Sequence, residues 1–284
     1  MPVIWCSISA HGFGHAAQVV PILNQLGRRF PGTKIILRTG VSPRFFEERL
    51  EVPWELSASV QDVGCIQDGP LHIDFQKTWK AYATFHQEWS TKVVREAQVV
   101  QSHAPDLILS NISHLAIEAG AYSGIPTVAI ASLSWDKILG GLEEGLPESH
   151  VNTIEHIRQS YAKADLCIQI HPALQLDAFP NVVDVGPIGL SCVQEQALER
   201  PGEFEEDRLL VLVGFGGVPV EKFPFPEMEA MKRYRFVIDG KVPSDYPDVW
   251  PIAKFSYTFK ELLNRVDILL TKPGYGSCIE SVNS

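Results

Sequence analysis

Two histidines, His11 and His15, stand in HGFGHAAQVVP (residues 11–21), directly after the apolar run VIWCSIS. Imidazole is the side chain best suited to move a proton near neutral pH, so a general base facing a ligand is one reading of this loop. The other is that both rings merely hydrogen-bond the turn. A second constellation is LLTKPGYGSCIES, where Lys272 precedes Gly274 and Gly276, and Ser277 and Glu280 have the spacing of a capping box. A helix N-terminus opening beside a cation suits a diphosphate; alternatively Lys272 is solvated and Glu280 only caps the helix. The third is VLVGFGGVP, whose Gly214, Gly216 and Gly217 follow a strand. These glycines let backbone N–H groups approach a phosphate, or simply make a tight turn.

The first loop also fits G-x-G-x-x-A through Gly12, Gly14 and Ala17, the fingerprint of dinucleotide binding. No carboxylate ends the following strand, KIILRTG, although Arg38 would suit a 2′-phosphate, which keeps an NADP-dependent oxidoreductase as an alternative. Pro21 belongs in a first helical turn, so helix onset is expected near Ala17 to Val20, with His15 in the loop or at the helix start. The chain has no D-x-D, no G-x-x-x-x-G-K-[ST] and no G-x-S-x-G, which counts against metal-held diphosphates, P-loop chemistry and the α/β-hydrolase reading. Tyr161, Asp165 and His171-Pro172 read as structural.

Positioning these loops requires strands and helices in alternation. VIWCSIS, KIILRTG, DLILSN, TVAIAS and LCIQI are nearly continuous apolar runs, as in strands covered on both faces of a parallel sheet. Helical patterns separate them, including a long one over residues 74–104 that ends before Pro105. The fold class is therefore α/β and doubly wound. GLSCVQEQALERPGEFEEDR, residues 189–208, is polar and acidic and reads as a linker between a domain at 1–188 and a second α/β series at 209–284. That series has fewer elements than a complete doubly wound domain, so a truncated second domain is expected.

The 284 residues carry a net charge of −10, which argues against nucleic acid or an anionic membrane surface as a partner. Five scattered cysteines show no metal spacing, so no zinc is assigned and a reducing compartment is expected. The first basic side chain is Arg28, unlike a secretory signal, and the apolar stretch 119–135 contains Pro126 and precedes Asp136, unlike a membrane span. A cytoplasmic protein is expected.

HGFGHAAQVVP, PDLILSNISHLAIEAGAYSGIPTVAIASLSWDKI and ELLNRVDILLTKPGYGSCIE together resemble GT-B glycosyltransferases, most specifically the glycosyltransferase-like N-terminal half of plant L-arabinokinase and its stand-alone bacterial relatives. The resemblance implies two Rossmann-like domains with a sugar nucleotide in the cleft between them, an acceptor on the first domain, and no cofactor or metal. By position it implies His15 as the base that deprotonates an acceptor hydroxyl for inverting transfer from a nucleotide sugar, with UDP favoured. It implies Gly216 and Gly217 as a diphosphate-side loop, Gly274, Gly276 and Ser277 with Lys272 as the diphosphate cradle, and Glu280 on the ribose. His11, Gly12 and Gly14 would shape the acceptor-side loop. Asn111 stands where relatives often carry an Asp that orients the histidine, which keeps open a non-catalytic sugar-nucleotide-binding regulatory module. The segment 51–76 is a candidate acceptor-pocket lining.

Overall fold

The computed structural model describes residues 1–69, 72–189, 207–215, 223–257, 259–272 and 274–282, without the side chains of Lys260, Ser277, Glu280 and Val282. It forms two compact units: Met1–Ile66 with Ile73–Ile188, and Gln67–His72 with Gly189–Ser284. Gly216, Gly217 and residues 190–206 of the expected linker lie outside the described residues.

The first unit runs β1 (Val3–Ile8), α1 (Gly14–Arg29), β2 (Lys34–Thr39), α2 (Pro43–Glu47), β3 (Trp54–Ala58), α3 (Phe75–Phe85), α4 (Trp89–Ser102), β4 (Leu107–Asn111), α5 (His114–Ser123), β5 (Thr127–Ala131), α6 (Trp135–Gly140), α7 (Glu148–Tyr161), β6 (Leu166–Ile170) and β7 (Val182–Val185). Its seven strands lie in the order β3-β2-β1-β4-β5-β6-β7, and every pairing is parallel. The chain moves outward from β1 to β3 and then returns to place β4 on the other side of β1. Ligands of open α/β sheets bind at such a reversal, outside the carboxyl ends of the strands.

Helix α1 is held by its apolar stripe: Ala16, Val19, Val20 and Leu23 are all 0% exposed. That burial overrides the local preference of proline. The helix begins at Gly14 rather than near Ala17 to Val20, and Pro21 sits inside it. Packing of a whole face outweighs the one backbone bond that proline removes. The expected single helix over 74–104 is two helices, α3 and α4, parted at His86–Glu88, where Glu88 adopts the left-handed conformation (φ 51).

The second unit contains β8 (Leu209–Val213), α8 (Phe225–Ala230), β9 (Tyr234–Ile238), β10 (Val249–Pro251), α9 (Phe259–Leu263), β11 (Ile268–Leu270) and α10 (Tyr275–Val282). Its sheet, β10-β9-β8-β11, is again parallel. The alternation of β8 builds both of its layers: Leu210 and Leu212 pack with Leu262 and Leu263 of α9, while Val211 and Val213 pack with Met228 of α8. Among the described residues, no helix is long and apolar enough to cross a membrane.

Candidate functional site

Parallel pairing of β1 and β4 sets Ile8 opposite Asn111, and the Ser9 N–H donates to the Asn111 carbonyl at 2.7 Å. The loop after β1 and the end of β4 therefore emerge side by side. His15 stands in the first turn of α1, only 8% exposed, with its Nδ1 2.6 Å from Asn111 Oδ1. Asn111 Nδ2 donates to Gln18 Oε1 at 3.0 Å, and Gln18 Nε2 donates to Ser132 Oγ at 2.6 Å. This chain of bonds orients the Asn111 amide with its oxygen toward the ring. An amide oxygen only accepts, so Nδ1 carries the proton and the lone pair is on Nε2.

The segment after β3 supplies a residue that the sequence had not singled out. Gln61 is tied to β1 and to the start of α5: its Oε1 accepts from Ser7 Oγ at 2.8 Å and its carbonyl from Ser113 Oγ at 2.7 Å. The next residue, Asp62, is buried and accepts from Ser9 Oγ at 3.0 Å and from Trp135 Nε1 at 2.8 Å. Burial lowers the pKa of His15, opposed by the negative charge of Asp62 and the bond to Asn111. Burial likewise raises that of Asp62, opposed by His15 and by the bonds from Trp135 and Ser9. A neutral imidazole beside a carboxylate is poised to accept a proton and to be stabilised once it has done so.

Trp135 also spaces the two histidines. Its ring lies 5.5 Å from His11, edge to face, and 5.6 Å from His15. His11 is seated against Gly64, which has φ +67; a Cβ there would come within 2.6 Å of the imidazole. Gly12 has φ +77, the reason for glycine at that turn, and a Cβ on Gly12 or Gly14 would meet nothing within 4 Å. The space in front of this loop is open.

In the second unit, α10 begins at Tyr275, three residues earlier than a capping box with Ser277 as the cap implies. The Cys278 N–H donates to the Gly274 carbonyl at 3.1 Å, so Gly274 caps the helix and Ser277 lies within its first turn. Ser277 is therefore not the cap. Lys272 is half-buried just before this helix start, and burial lowers its pKa. The first-turn N–H groups of α10 carry the partial positive charge of a helix N-terminus, and Lys272 precedes that helix by three residues. Gly214 has a packing explanation: a Cβ there would lie 2.4 Å from the Phe259 ring. Arg38, the residue suited to a 2′-phosphate, is committed elsewhere, donating to both carboxylate oxygens of Glu96 at 2.9 and 2.7 Å. That engagement removes the main support for the NADP reading.

Across 97% of its length the chain is 24% identical to L-arabinokinase of Arabidopsis thaliana, and it spans 27% of that protein. No family model matches the chain. The glycotransferase of kitacinnamycin superposes with a TM-score of 0.62 at 15% identity, covering 99% of this chain and 78% of the other. UGT89C1 of Arabidopsis thaliana, solved with quercetin, gives 0.59 at 13% identity over 99% and 76% of the two chains. UGT2 of Phytolacca americana, solved with UDP-2-fluoro-glucose and pterostilbene, gives 0.57 at 16% identity over 100% and 78%. The fold is that of GT-B glycosyltransferases, and the sequence is related to L-arabinokinase, as the resemblance implied.

Proposed function

We propose that the protein transfers a sugar from a nucleoside-diphosphate sugar, with UDP as the nucleotide, to an acceptor hydroxyl with inversion and without a metal. The observation that carries this reading is the buried His15–Asn111 bond, which leaves Nε2 as the basic nitrogen, with Asp62 nearby to offset the imidazolium charge. In this scheme Nε2 takes the proton of the acceptor hydroxyl as its oxygen attacks the anomeric carbon. The bond from that carbon to the diphosphate oxygen breaks, and its electron pair leaves with the nucleotide.

Residues 1–188 would carry the acceptor and residues 209–284 the donor, joined by the linker at 189–208. Negative charge developing on the diphosphate would be met by Lys272 and by the N–H groups that open α10 around Gly274, Gly276 and Ser277. The roles of Gly216 and Gly217 at the diphosphate and of Glu280 on the ribose rest on the resemblance alone. The relatives solved with UDP and with UDP-2-fluoro-glucose support the nucleotide assignment. Free thiols at Cys6, Cys65, Cys167 and Cys278 fit a cytoplasmic setting.

A second reading is a module that binds a sugar nucleotide without turning it over. The neutral amide of Asn111 favours it, because an amide cannot stabilise an imidazolium by charge.

Calorimetric titration of UDP, with GDP and dTDP as comparisons, tests the shared premise. Binding of one nucleoside diphosphate, abolished in Gly276→Trp and weakened in Lys272→Gln, is expected. No heat with any of the three overturns both readings.

A further inference from the structure

A cavity of about 370 Å³ lies in the first unit, beside the carboxyl ends of β2 and β3 and against one face of α4. Lys92, Arg95, Glu96 and Val99 line it from α4, at helical positions i, i+3, i+4 and i+7 that share a face. Arg38, Val60 and Phe85 line it from the neighbouring segments.

The charges in this wall do not cancel. Glu96 is consumed internally: its oxygens accept from Arg38 at 2.9 and 2.7 Å and from Gln61 at 3.2 Å. Lys92 donates to the Phe85 carbonyl and stands 4.2 Å from the centre of the Phe85 ring, so its ammonium is held at the wall rather than trailing in solvent. Among the described residues, no carboxylate pairs with Lys92 or with Arg95, which is exposed. Two unneutralised cations therefore border a partly apolar cavity in a chain whose net charge is −10.

We propose that this cavity binds a small organic anion, a carboxylate or a phosphate monoester carried on an apolar body. Arg95 offers a planar fork for two oxygens and Lys92 a point charge, while Phe85, Val60 and Val99 take the apolar part. The volume is within the range of small-molecule sites. The site uses neither His15 nor any residue of the second unit, and it shares with the candidate acceptor-pocket segment 51–76 only its edge at Ser59 and Val60.

Titration of the protein with benzoate, phenyl phosphate, inorganic phosphate and benzyl alcohol tests the proposal. Benzoate or phenyl phosphate is expected to bind, the stronger of the two identifying the anionic group. Benzyl alcohol and inorganic phosphate should each bind at least about tenfold more weakly than that probe, because each lacks one half of the recognition. Lys92→Gln and Arg95→Gln should each weaken the better anion about tenfold or more, with UDP binding and circular dichroism unchanged. Val60→Trp, at a position 68% exposed, should block the anion by filling the cavity. Absence of binding at about 10 mM of either aromatic anion, near the weak limit of specific recognition, overturns the proposal. So does equal binding of benzyl alcohol, equal binding of inorganic phosphate, or unchanged anion binding in both Lys92→Gln and Arg95→Gln.

Discussion

His15 Nδ1 and Asn111 Oδ1 are 2.6 Å apart, although 96 residues separate them in the chain. A carbonyl at this position fixes the tautomer without supplying charge, and the negative charge that acts on the ring is that of Asp62. Orientation and charge stabilisation, which one carboxylate can provide together, are divided here between two residues.

Replacing Asn111 by leucine should therefore release the ring and leave a buried Nδ1 donor unpaired. Turnover of a nucleotide sugar should fall by about a hundredfold, the scale of general-base catalysis, while UDP affinity stays within a few-fold. Asn111→Asp should restore orientation and raise the basicity of His15. Steady-state kinetics of the two variants, with UDP affinity measured separately, separate these outcomes.

The pH profile has a defined sign. Burial lowers the pKa of His15, so its neutral, proton-accepting form persists below the ordinary imidazole value of 6.5. The acidic limb of kcat/KM should lie below that value, with activity lost as pH falls through it. Asp62 raises the pKa of His15, so in Asp62→Asn the limb should move to still lower pH while the maximal rate drops.

A different group of histidines should govern acid stability. His86 Nε2 lies 2.9 Å from His114 Nε2, and His86 and His156 are 4.6 Å apart between ring centres. Burial, with the neighbouring charges of His156 and Lys92, pushes the pKa of His86 down to about 4; burial also holds His114 well below its ordinary value. The unfolded chain takes up protons near pH 6.5 where the folded chain does not, so stability should fall as pH drops from about 6.5 toward about 4. Partly exposed His86 should contribute on the order of 1–2 kcal/mol by pH 5, after allowance for solvent screening. Thermal melting across this range should show the loss, and His86→Gln should flatten it.

Gly64→Ala tests the seat of His11. The substitution combines a positive φ of +67 with a Cβ 2.6 Å from the ring. It should cost about 1–3 kcal/mol of stability and displace His11, visible as a lower midpoint of thermal unfolding.

The sequence made the central strands legible because β1, β2, β4, β5 and β6 are apolar on both faces. It hid the edges: β3 and β7 are half-buried or exposed along most of their length, so WELSA and VVDV lack that signature. His15 and Asn111 were visible as residue types at the start of α1 and the end of β4, but their contact depends on the register of β1 against β4. Asp62 was harder to find. Its partners, Ser9 and Trp135, lie 53 and 73 residues away, and nothing local distinguishes it from an ordinary loop carboxylate. The available signal was its place in the loop that follows β3, in the segment 51–76 already set apart as candidate pocket lining.

The most direct test of the central claim is UDP release from UDP-sugars in the presence of a mixed panel of phenolic and sugar hydroxyl acceptors, comparing the unmodified protein with His15→Ala. Loss of at least about a hundredfold in turnover at nearly unchanged UDP affinity is the expected result for a removed general base. Equal turnover in the two proteins would contradict the assignment of His15. UDP binding without release by either protein would contradict catalysis itself and leave the sugar-nucleotide-binding module.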